Sequence, residues 1–83
     1  MKIFQIEFVL RGEYIELDKL LKANGLVESG GRARVLISEG NVQVNGQDEL
    51  RKTAKIRAGQ VVSMHGARIK VLADPSSSEV QPS

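Results

Sequence analysis

The run from Glu28 to Gly46, E-S-G-G-R-A-R-V-L-I-S-E-G-N-V-Q-V-N-G, constrains the fold of this chain more than any other stretch. Ala33, Leu36 and Ile37 repeat at i, i+3 and i+4, which marks the buried face of a short helix with Val35 at its margin. Ser29 is a residue type that accepts from an unpaired N–H at a helix start, and Gly40 is the type that ends one. Arg32 stands at the third helical position, so no capping box forms. Val42-Gln43-Val44 then alternates as a strand, and Asn45-Gly46 suits a type I′ hairpin turn, whose two central residues both need positive φ. The rest of the chain has to hold this helix and hairpin in place.

Before that run, the residues from Lys2 to Leu10 alternate as a strand, with Phe4, Ile6, Phe8 and Leu10 on a face predicted to be buried. Arg11-Gly12-Glu13 breaks it, and Tyr14-Ile15 forms a brief extension. A helix opens near Glu16, whose acidic first turn with Asp18 suits the positive end of the helix dipole. Leu17, Leu20 and Leu21 make its apolar stripe, Asn24-Gly25 stops it, and Leu26 folds back over the end. The two short helices are therefore expected to face each other.

After the run, a return strand is expected near Gln47 to Leu50. Arg51 to Arg57, R-K-T-A-K-I-R, reads as a basic loop or irregular edge strand with only Ile56 buried. Ala58-Gly59-Gln60 turns the chain, and Val61 to Met64 pairs with Arg68 to Leu72 around His65-Gly66. Beyond Ala73 the composition becomes D-P-S-S-S-E-V-Q-P-S, which has too little apolar surface to offset its ordering entropy. The expectation is an α+β fold: two short packed helices with a small, mostly antiparallel sheet, one domain over residues 1–73, and a disordered tail over 74–83.

A chain of 83 residues supports one modest core. It has no cysteine, so neither disulfides nor a thiolate metal site reinforces that core. No apolar run approaches the roughly 18 residues of a membrane span, and Lys2, Gln5 and Glu7 interrupt the place where a signal peptide would be apolar. A cytoplasmic protein with no membrane partner is expected. Charge is unevenly arranged: Arg32, Arg34, Arg51, Lys52, Lys55, Arg57, Arg68 and Lys70 make the centre basic, whereas the first third is balanced and the tail acidic. That pattern suits a polyanion met by the middle of the chain.

Catalysis finds little support. His65 is the only histidine and stands at a hairpin tip beside Gly66, without an acid nearby in sequence. No spacing of histidines and carboxylates suggests a metal site, Gly30-Gly31 lacks the Lys-Ser/Thr of a P-loop, and no cofactor is expected. Anion binding fares better. The first N–H groups of a helix lack internal partners, the dipole there favours negative charge, and Gly30 and Gly31 leave no side chain to obstruct an approaching phosphate. Arg32 and Arg34 lie off the apolar stripe near that helix end, and the arginine fork suits phosphate oxygens. The Asn45-Gly46 turn is expected to bring Arg51, Lys52 and Lys55 back to the same rim.

Single-strand binders offer aromatic platforms, but Phe4 and Phe8 are expected in the core and Tyr14 outside the basic region. Backbone and shape recognition of folded RNA is the better expectation. A DNA reader needs a longer recognition helix than one that ends by Gly40.

Ser29, Ala33, Leu36-Ile37, Gly40 and Val42-Gln43-Val44-Asn45-Gly46 together resemble the αL RNA-binding motif superfamily, the domain named after protein S-four of the small ribosomal subunit. Leu17-Asp18-Lys19-Leu20-Leu21 and Gly25-Leu26 are similar to its first helix and helix end. Lys52 to Val62 is similar to the segment leading into a Gly-Asp-x-Val turn, with Gln60 in place of the acid. The resemblance covers Tyr14 to Leu72, and the E-S-G-G form looks most like the small stand-alone members, the YbcJ-type ribosome-associated proteins. The family's arginine after Ser29 is replaced by Gly30, and Arg32 is the residue available to compensate.

The resemblance implies a compact module whose two helices and adjoining hairpin bind structured RNA, ribosomal or transfer RNA, with ribosomal particles as a further partner; a non-catalytic monomer is expected. The residues expected to carry binding are Ser29, Gly30, Gly31, Arg32, Arg34, Asn45, Arg51, Lys52, Lys55 and Arg57. The alternative is a protein-interaction or assembly module that uses the same basic face.

Overall fold

The computed structural model describes residues 3–75. Strand β1 spans Phe4–Leu10 and β2 Ile15–Glu16; helix α1 follows at Leu17–Ala23 and α2 at Gly30–Ser38. Then come β3 (Val42–Val44), β4 (Gln47–Asp48), β5 (Lys55–Ile56), β6 (Val61–Met64) and β7 (Ala67–Ala73). The main sheet has the order β1-β7-β6-β3-β4, and β2 pairs with β5 in a separate two-stranded ladder.

Every pairing is antiparallel except β1 with β7. Those two run parallel from Phe4 opposite Ala67 to Leu10 opposite Ala73, so both helices and the intervening strands serve as the long crossover that a parallel pair requires. Both hairpin turns have their central residues at positive φ: Asn45 at 53° and Gly46 at 84°, His65 at 45° and Gly66 at 80°. That is the geometry of a type I′ turn, and it matches the twist of the flanking strands.

Both helices end alike. The Gly25 N–H bonds the Lys22 carbonyl and the Leu26 N–H the Leu21 carbonyl, while Gly40 and Asn41 bond Ile37 and Leu36 in the same pattern. Each glycine has positive φ, as the Schellman arrangement needs. Leu17, Leu20 and Leu21 of α1 meet Ala33, Leu36 and Ile37 of α2 in one core with Val42, Ile56, Val62, Ile69 and Val71. On β7 the alternation is clean: Ala67, Ile69 and Val71 face the core, and Arg68 and Lys70 face solvent.

Several expectations need correction. Phe4 shares a face with Ile6, Phe8 and Leu10, but it begins the edge strand β1 and is 67% exposed, whereas Leu10 at the other end is buried in the core. The return strand after Gly46 stops at Asp48, leaving Leu50 exposed. In the basic segment Ala54 is buried as well as Ile56, because both underlie the start of α1. The expected tail falls mostly on residues 76–83, outside the described residues. At its beginning, Asp74 Oδ2 lies 3.6 Å from Arg11 Nε.

Candidate nucleic-acid interface

The start of α2 is built as its sequence demands. Ser29 Oγ accepts from the Arg32 N–H at 3.1 Å, and the Ser29 carbonyl accepts from the Ala33 N–H at 3.1 Å. Among the described residues the Gly30 and Gly31 N–H groups have no partner, so two donors point out of the helix end. Neither glycine has positive φ. A Cβ at Gly30 would meet only Arg34 Nη2 at 3.6 Å, and one at Gly31 only Ser29 Oγ at 3.8 Å, both ordinary contacts. Neither backbone conformation nor internal packing therefore requires glycine at these two positions. What glycine does is leave the donors uncovered.

Arg34 is held beside those donors by a residue whose role is invisible in the local pattern. Asp18, on the first turn of α1, is only 4% exposed. Its Oδ2 accepts from Arg34 Nε at 3.2 Å, and its Oδ1 from the Lys19 N–H at 2.8 Å. One side of the guanidinium is thereby fixed while the arginine side chain remains 55% exposed. A pairing across two packed helices cannot be read from either helix alone.

The basic segment reaches this place by docking on α1. The first N–H groups of α1 lack helical acceptors, and the Glu16 side chain makes no cap bond. Instead the Leu17 N–H bonds the Ala54 carbonyl at 2.9 Å and the Asp18 N–H bonds the Lys52 carbonyl at 3.1 Å. Continuing in the same direction, Glu16 lies opposite Lys55 and Ile15 opposite Ile56. The backbone from Lys52 to Lys55 therefore runs along the start of α1, beside the Asp18–Arg34 pair, and this edge is the basic rim. It is this docking, rather than the Asn45-Gly46 turn, that brings the second group of bases alongside.

The remaining expected site residues divide. Arg32 projects to the other side of α2, as a residue two positions from Arg34 must. It lines a groove of mixed polarity with Leu26, Val27, Glu28, Leu36, Met64 and His65. Of the two arginines it is Arg34 whose guanidinium lies beside Gly30, with Nη2 3.6 Å from where a Cβ at that position would stand. Asn45 is tied into the sheet, with its N–H on the Val61 carbonyl at 2.8 Å and its Oδ1 accepting from the Val61 N–H at 2.9 Å. Arg51 is bound by Glu49 through Nε at 3.0 Å and Nη2 at 3.2 Å, and these bonds hold the Glu49 carboxyl below its ordinary range. Lys52, Lys55 and Arg57 have no carboxylate within ion-pair distance among the described residues.

Tyr14 overturns the expectation that aromatics lie outside the basic region. Lys55 Nζ is 4.9 Å from the centre of its ring and the Arg57 guanidinium carbon 5.9 Å. The pairing of β2 with β5 brings them together from more than forty residues apart in the chain, as the bond from Arg57 Nη1 to the Glu13 carbonyl (|i−j| = 44) also records.

Known proteins resemble this chain over most of its length. YbcJ of Escherichia coli (strain K12) is 48% identical over 60 residues, which cover 72% of this chain and 86% of that protein. RlbA of Bacillus subtilis (strain 168), a probable ribosome maturation protein, is 37% identical over 54 residues, covering 65% of this chain and 76% of that one. The solution structure of the Escherichia coli YbcJ, described as revealing an αL motif involved in RNA-binding, superposes with a TM-score of 0.63 at 40% identity, covering 88% of this chain and 91% of that chain. The S4 domain matches residues 8–72, a span that takes in both helices, the docked basic segment and the β6–β7 hairpin, and the chain belongs to the S4 domain family.

Proposed function

We propose that this chain is a non-catalytic, cytoplasmic RNA-binding module that takes the phosphate backbone of structured RNA on the rim from Gly30 to Arg57. The observation that carries this reading is the clustering, at the packed starts of α1 and α2, of two unpartnered glycine N–H groups, the Arg34 fork held by Asp18, and the Lys52 backbone docked on the Asp18 N–H. Backbone donors at a helix start and a bidentate cation are complementary to phosphate oxygens. The αL motif attributed to YbcJ supports RNA as the polyanion, and the name of RlbA favours ribosomal RNA and maturing ribosomal particles over transfer RNA.

Binding to a folded ribosomal RNA fragment should weaken steeply with salt, because each neutralised phosphate releases counterions. Lys52→Ala should make the plot of log affinity against log salt shallower by about 1. A salt-independent affinity, or a Lys52→Ala slope equal to the parent's, would remove the rim from the site. Partners recovered from lysate should be lost after RNase treatment; their survival would favour an acidic protein surface as the ligand of the same face.

A further inference from the structure

Tyr14 is 41% exposed although two cations approach its ring. The ladder responsible is short: Ile15 opposes Ile56 and Glu16 opposes Lys55. Alternation on the second strand turns Ile56 into the core and sends Lys55 and Arg57 together to the opposite side. Neither cation has a carboxylate partner among the described residues, and no hydrogen bond there engages the Tyr14 hydroxyl. Arg57 is held in place by its backbone, through its N–H on Gln60 Oε1 at 2.6 Å, and by its Nη1 on the Glu13 carbonyl at 3.4 Å.

A pair of cation–π contacts would by itself explain a tyrosine closed over by its neighbours. It does not explain a ring left open at the end of a row of unneutralised bases. A partly exposed aromatic flanked by cations suits a planar base attached to phosphates, since every base has a π-face and every nucleotide a negative charge. The bases of a continuous A-form helix are stacked on one another, so only an unpaired one can present its face. No more than about 11 Å of chain separates Lys52 from Lys55, so one RNA strand can touch both.

We propose that Tyr14, with Lys55 and Arg57 beside it, is a stacking platform for one unpaired base of the bound RNA, the two cations taking the adjoining phosphates. The proposal rests on the RNA reading above and adds a single-stranded feature to what that reading recognises.

The chain contains one tyrosine and no tryptophan, so its intrinsic emission reports Tyr14 alone. The full chain is titrated with two labelled RNA hairpins, identical except that one carries a single bulged adenosine. Binding is followed by anisotropy of the label, and tyrosine emission is corrected for RNA absorbance. The bulged hairpin should bind about tenfold more tightly, the effect of one base stack, and should quench the emission. Tyr14→Phe should keep the preference and Tyr14→Leu should lose it, each melting near the parent's temperature. Emission needs no variant, so a Tyr14→Leu chain that fails to fold leaves the test intact. Equal binding of the two hairpins, with emission unquenched or quenched alike, would overturn the platform while the backbone reading stands. Absence of binding to both at low salt would overturn the platform and the RNA reading together.

Discussion

Asp18 and Arg34 join the two helices at the edge of the basic rim, with Oδ2 accepting from Nε at 3.2 Å. The carboxylate is almost wholly buried and the guanidinium half exposed, so the two partners are not equivalent. Removing the arginine strands a buried charge, whereas Asp18→Asn/Arg34→Ala leaves no charge unpaired and keeps an oxygen for the Lys19 N–H. Arg34→Ala is therefore expected to lower stability by about 1–3 kcal/mol and also to make the salt plot shallower by about 1. The double variant Asp18→Asn/Arg34→Ala should recover most of the stability but none of the salt dependence. Urea unfolding and binding across salt, measured on both, separate the scaffold role of the pair from the phosphate role of Arg34. Recovery of both properties in the double variant would show that Arg34 touches no phosphate.

Gly31 allows the opposite separation. In the helix interior glycine costs up to about 1 kcal/mol relative to alanine, and a Cβ at Gly31 meets nothing closer than 3.8 Å. Gly31→Ala should therefore raise the urea midpoint while weakening RNA binding, because the methyl group covers the open N–H end. A variant that is stabler and binds equally well would mean that no phosphate approaches those donors.

The contrast between these residues explains how far the chain could be read before its structure. Helix stripes, glycine stops and both hairpin turns are local: Ala33, Leu36 and Ile37 announce a face, and Asn45-Gly46 announces a turn, within a few residues of sequence. The groups that organise the rim are brought together by contacts that no local period encodes. Asp18 reads as a dipole-facing acid until α2 brings Arg34 to it. Tyr14 reads as part of a brief extension outside the basic region until β5 docks beside β2. Arg32 and Arg34 look like one pair because both lie off the core stripe, but two positions along a helix turn side chains to opposite flanks. Phe4 follows the alternation of its strand correctly and is still exposed, since alternation gives the face and not the position of the strand at the sheet's edge.

Asn45 stands among the expected binding residues, and its bonds to Val61 also give it a scaffold role that substitution can isolate. It adopts φ 53° and ties the turn to Val61 through its side-chain oxygen. Asn45→Gly keeps the backbone conformation and loses that bond, with an expected cost of about 1 kcal/mol; Asn45→Ala adds the left-handed penalty and should cost about 1–2 kcal/mol more. Thermal melts rank the two. If the turn is only scaffold, the salt plot of Asn45→Gly should overlay the parent's, and a shallower one would return Asn45 to the RNA.

Arg51 lies in the same basic run as Lys52, Lys55 and Arg57, but its fork is already engaged. Nε and Nη2 take both Glu49 oxygens, and its backbone N–H adds a third bond to Oε2 at 3.0 Å. The bonds from Arg51 lower the Glu49 pKa below its ordinary value of 4.5. Because the folded value is the lower one, the stabilisation is complete above pH 4.5 and is lost as pH falls through the depressed value. Stability measured from neutral to acid pH should therefore decline less in Glu49→Gln than in the parent over that lower window. The same variant releases the Arg51 fork at neutral pH, and its salt plot should steepen by about 1. The decisive comparison is Glu49→Gln/Arg51→Ala, in which neither charge remains: its slope should match the parent's, because in the parent the fork is closed on Glu49 and releases no counterion on binding. A double variant shallower than the parent by one unit would mean that Arg51 leaves Glu49 for a phosphate when RNA binds.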